Sequence, residues 1–162
     1  MDYFKATERY LYNYRSIQAS IVNMTQQIEE IISDFVGAPA INPEHEPTGK
    51  TYKFNSAVEN EVIRRDEEVS ELRRKIDEAK RLVVKIDRSI ASLPALEQRI
   101  VRLKYFSGED LSWFQIANIV QYSVDHCKGK ARRRAVKRIA IAIFGLEAMN
   151  NFSPLPLFSY TG

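Results

Sequence analysis

Between positions 125 and 138 the chain carries Lys128, Lys130, Arg132, Arg133, Arg134, Lys137 and Arg138 against one acid, Asp125. Ammonium and guanidinium groups at that density bind anions, and the acceptor edges of bases are a second natural target. The segment reads as one helix, because Val124, Cys127, Ala131 and Ala135 recur at spacings of three and four and form a buried stripe. Ser123 is suited to cap its start. Arg132, Arg133 and Lys137 are placed for phosphates, and Asp125, His126, Lys128 and Lys130, in the first turns, for base edges. Ser123 and Arg134 complete the candidate DNA-contacting set.

Other chemistries lack their residues. His45 and His126 are the only histidines and have no ligand-spaced partners, so no metal site is expected. Gly49-Lys50-Thr51 resembles the end of a phosphate-binding loop, but Glu44 stands where its first glycine is required and no strand precedes it. Glu67, Glu68 and Glu71 read as exposed helix charges rather than an acid/base pair, and within the set Tyr3, Tyr10, Tyr12 and Tyr14, which could suggest base stacking, helical spacing makes Tyr10 and Tyr14 packing residues. Neither an enzyme nor a cofactor is expected.

The elements that position the basic helix can be read outward from it. Ser112-Trp113-Phe114-Gln115 is a reciprocal capping box, so a short helix should run from about Trp113 to Val120 with Ile116, Ala117 and Val120 inward. Upstream, Pro94 belongs in the first turn of a helix with Leu96, Ile100, Val101, Leu103 and Tyr105 inward, ending at the turn Ser107-Gly108-Glu109-Asp110. Downstream, the basic helix is expected to continue to Gly145.

The first part of the chain carries two heptad stripes. Tyr10, Tyr14, Ile17, Ile21, Met24, Ile28, Ile31 and Phe35 form one; Val62/Arg65, Val69/Leu72, Ile76/Ala79, Val83/Ile86 and Ile90/Leu93 form the other. A region holding Gly37, Pro39, Pro43, Pro47 and Gly49 separates them, and Ser56-Ala57-Val58-Glu59 marks the start of the second helix. Helices of about 50 Å each would zip into an antiparallel hairpin, with Ile21, Ile28, Val69, Ile76 and Val83 in one seam. The expected fold is all-α: a coiled-coil-like helical hairpin over 1–92, a helix-turn-helix domain over 93–145 and a tail over 146–162. A fragment beginning at Ser92 and ending at Gly145 should then retain DNA binding.

The charge is asymmetric rather than large. Lys and Arg number 24 against 21 Asp and Glu, a net of +3, and the excess lies in the basic helix. One cysteine, no secretory leader and no apolar run of about 20 residues suit a reducing cytoplasm and exclude a membrane span.

At Leu93-Pro94-x-x-Glu97, Leu103-Lys104-Tyr105, Gln115-Ile116-Ala117, Tyr122-Ser123 and the basic helix, the last third resembles region 4 of bacterial sigma factors. Gln121 stands where that turn commonly has glycine, and Gly129 lies inside the recognition helix. The whole arrangement resembles the ArpU/RinA-type transcriptional regulators of phages and prophages. The resemblance implies a regulator that activates phage late genes in a bacterial host, at the nucleoid, with host RNA polymerase as a further partner. The self-complementary helical surface and the advantage of two linked readers on operator half-sites point separately to a homodimer on duplex DNA. The competing readings are a sigma-like factor that binds polymerase core, a small terminase-like packaging subunit and a purely structural coiled coil.

Overall fold

A computed structural model describes residues 1–36 and 51–152, and every regular element among them is helical. The protein is all-α. In chain order the helices are α1 (Tyr3–Tyr12), α2 (Tyr14–Val36), α3 (Thr51–Ala91), α4 (Ala95–Val101), α5 (Trp113–Val120), α6 (Arg132–Phe144) and α7 (Leu146–Phe152). Two π-helical stretches join them: Arg102–Phe106 extends α4, and Asp125–Ala131 leads into α6.

The contacts divide the chain into two compact units, Met1–Ile17 with Arg81–Gly162, and Gln18–Lys80. The expected boundary at 92/93 is therefore displaced, for a physical reason. Leu11 of α1 and Ile86 and Ile90 of α3 are buried in one cluster with Val101, Tyr105, Ala135, Val136 and Ile139. The beginning of the chain and the end of the long helix thus supply three of the nine buried residues of this cluster. A second cluster in this unit holds Ile100, Ile116, Ala117, Val120, Cys127 and Ala131, with Leu96, Leu103, Leu111 and Trp113 packed against it.

The first heptad stripe is broken at Asn13. Its side-chain amide donates to the Arg9 carbonyl at 2.7 Å, competing for the acceptor of its own backbone N–H, and α1 ends there. Tyr10 and Tyr14 then pack in the first unit, against Phe144 and Phe106 with ring centroids 6.0 and 4.3 Å apart. In the second unit Ile28, Leu72 and Ile76 are buried, with Ile21, Met24, Ile31 and Val69 half-covering them. Val83, expected in that seam, belongs to the other unit and is half-buried.

Three further expectations are corrected. The second long helix begins at Thr51 rather than at Ser56, since residues 51–56 contain neither glycine nor proline to stop the helix extending past a capping signal. Pro94 sits at the N-cap of α4, outside its first turn, with φ −55° and ψ 147°. Residues 146–152 are α7, with Ala148 buried and the Tyr3 hydroxyl donating to Glu147 Oε2 at 2.8 Å, rather than the start of a tail. The rest of the expected tail, the loop prolines, His45 and the Gly49-Lys50 pair lie outside the described residues.

Candidate nucleic-acid interface

The basic helix is set in place by a chain of local hydrogen bonds. At the start of α5 the Gln115 N–H donates to Ser112 Oγ at 3.3 Å, and the Ser112 N–H donates to Gln115 Oε1 at 2.8 Å. The helix stops at Gln121, which adopts φ 59° and ψ 43°, the left-handed conformation that the turn demands at a cost of about 1 kcal/mol without glycine. The Tyr122 N–H folds back to the Ala117 carbonyl at 3.1 Å. Ser123 then accepts the His126 N–H at 3.1 Å, so its expected capping role is present.

From Asp125 to Ala131 the helix is widened to π geometry, the Arg132 N–H reaching back five residues to the Cys127 carbonyl. Such stretches are rare and recur at functional sites. Cys127, Ala131 and Ala135 face the core as the spacing requires, and burial pushes the Cys127 thiol up, away from reactive thiolate. Val124, expected in the same stripe, is instead exposed, because it precedes the first turn that reaches the core.

The candidate residues separate by surroundings. Lys128, Lys130 and Arg133 are exposed, and none of their side chains makes an ion pair or hydrogen bond with the described residues. Lys137 is exposed and lies over the Phe152 ring at 5.5 Å. Ser123 and Asp125 are exposed in the turn and first turn, and the half-buried His126 ring stacks on Tyr122 with centroids 5.0 Å apart.

Arg132 does not match its expected role as a phosphate contact. Its guanidinium donates through Nε to Glu8 Oε1 at 2.8 Å and through a terminal nitrogen at 2.5 Å, while the Tyr105 hydroxyl donates to the same oxygen at 2.7 Å. The rings of Phe4 and Trp113 lie 5.7 and 5.9 Å from it. Burial works against the charge, but Tyr105 and Glu8 outweigh it and hold the guanidinium protonated. Burial, then the bond to Glu8, pushes the Tyr105 hydroxyl above the usual tyrosine range.

Arg134 and Arg138 share a third arrangement. Glu97 of α4 is only 4% exposed, and its two carboxylate oxygens lie 3.5 Å from Arg134 and 2.8 Å from Arg138. Both arginines stay half-exposed, oriented from behind by this buried acid. Glu8 escaped the sequence reading, and Glu97 entered it only as part of the sigma-like motif, not as a partner of the basic helix. For Glu97 a signal existed, since it stands three and four positions before the inward Ile100 and Val101. Among the described residues no group of three or more His, Cys, Asp or Glu side chains could hold a metal, and no helix is long and apolar enough to cross a membrane.

The model of one protein family, described as "Protein of unknown function (DUF722)", matches residues 5–140. No curated protein and no solved structure matches the chain.

Proposed function

The chain belongs to that family, whose description names no activity, and from the site itself we propose that it is a sequence-specific, duplex-DNA-binding transcriptional regulator. The observation that carries the reading is the set of unpaired cations, Lys128, Lys130 and Arg133, on the outer side of a helix that follows a capped helix and a tight turn. Cations crowded on one helix repel one another in the free protein, and phosphates relieve that repulsion. Lys137, Arg134 and Arg138 widen the same field. The helix enters the major groove with its first turns toward the bases, while Arg133 and Lys137 hold phosphates.

The resemblance to sigma region 4 and to the ArpU/RinA-type regulators extends the proposal to activation of phage or prophage late genes. On this proposal the protein works in the cytoplasm of a bacterial host, at the nucleoid, as a homodimer, the state that a self-complementary helical surface favours. Fluorescence anisotropy with labelled duplexes tests the core of the proposal. Log affinity should fall linearly with log salt, at about −0.9 per neutralised phosphate. Lys130→Ala should lose about 1–3 kcal/mol more on a selected site than on random duplex. A flat salt response would overturn the reading.

A further inference from the structure

Twelve large hydrophobic side chains are exposed among the described residues, and four of them, Phe114, Ile119, Tyr122 and Val124, fall within the eleven positions 114–124 around the turn. Single exposed apolar groups are ordinary on a folded surface, but such a cluster marks a surface that meets something. Tyr122 is 50% and Val124 36% exposed, and the Tyr122 ring is backed by His126, stacked at an interplanar angle of 24°. Four and six residues after Val124 stand Lys128 and Lys130, exposed and without an ion pair among the described residues, so cations follow directly on the apolar edge along the chain. That charge selects duplex DNA as its occupant.

From these observations we infer that Tyr122 and Val124 read thymine, by packing against its 5-methyl group in the major groove. Thymine alone among the four bases presents a methyl there. Of the side chains that read purines by paired hydrogen bonds, residues 122–128 hold only Lys128, at their end, and no arginine, asparagine or glutamine. His126 acts as a positioning residue for the Tyr122 ring. Lys128 and Lys130 add attraction to the duplex and acceptor contacts. The inference rests on the DNA-binding reading and adds what the site recognises.

The test uses the full chain and a duplex recovered from a random pool by repeated selection. Each thymine of that duplex is replaced in turn by uracil, which removes only the methyl. At one or more positions uracil should weaken binding about fourfold, which is about 0.8 kcal/mol at 1.4 kcal/mol per tenfold and the usual worth of one buried methyl. Val124→Ala and Tyr122→Ala, with unchanged circular dichroism, should bind the thymine and uracil duplexes alike. Tight, selective binding that is indifferent to uracil at every position would overturn the inference and leave the DNA-binding reading standing. Failure to bind any duplex would overturn both and assign the apolar edge to a protein partner.

Discussion

Arg132 and Arg133 are neighbours in sequence with opposite surroundings, and their substitution should separate folding from binding. Arg132→Ala removes a guanidinium that satisfies Glu8 beside Tyr105, and hydrogen bonds to charged groups of this kind are worth about 1.5–3 kcal/mol. The denaturant midpoint should fall accordingly. Arg133→Ala should leave the midpoint in place and reduce the log–log salt slope of DNA binding by about 0.9. If Arg132→Ala were as stable as the parent, the Glu8 network would carry no structural weight. Gly129 gives a third contrast. A Cβ added there meets nothing within 4 Å in the free protein, so Gly129→Ala should raise stability by about 1 kcal/mol through helix propensity. If the backbone lies against the duplex at this turn, the same variant binds DNA more weakly, and unchanged affinity would put Gly129 away from the interface. Composition made the basic set legible. It could not say which cations were already engaged, because Glu8 lies 124 positions before Arg132.

At the scale of elements, the short-range signals were readable and the long-range ones were not. The Ser112–Gln115 box and the inward Ile116, Ala117 and Val120 follow from local spacing, and the left-handed Gln121 from the resemblance to a turn that commonly has glycine there. The division into units does not, since a heptad stripe states that a helix has an apolar face but not which partner covers it. Thus Tyr10 and Tyr14 left the expected seam for Phe144 and Phe106. This changes what a truncation should do. A fragment limited to residues 92–145 lacks Leu11, Ile86 and Ile90, which lie in one cluster with Val101, Val136 and Ile139. It should show no cooperative melting, and a well-folded fragment would show that α1 and the end of α3 are dispensable. In the second unit Ile76→Ala removes one of three buried apolar side chains. A loss near 2 kcal/mol is expected, the lower end for such truncations, because the seam is thin. Glu78→Lys, on an exposed ion-paired position, should alter the melt little.

For the molecule as a whole, stability should fail at high pH. The Tyr14 hydroxyl donates to Asp87 at 2.7 Å and is pushed up to about 12, first by burial and then by that bond. Unfolded tyrosine titrates near pH 10. The folded state therefore holds this proton more tightly, and the stability it supplies is complete below about pH 10 and lost as pH rises through about 12. Tyr105 is shifted in the same direction. Denaturation followed across this window should show Tyr14→Phe less sensitive to pH than the parent; an identical profile would remove Tyr14 from the account. The separation of Glu8 from Arg132 also bears on the order in which the chain is made. During synthesis α1 emerges first, yet the residues that cover Leu11 include Val136 and Ile139. At about 5–20 residues per second, the 124 positions from Glu8 to Arg132 take roughly 6–25 s to appear. For that interval the nascent chain holds the apolar face of α1 without the α6 residues Ala135, Val136 and Ile139 that complete its cluster, a surface open to a chaperone waiting at the ribosome exit.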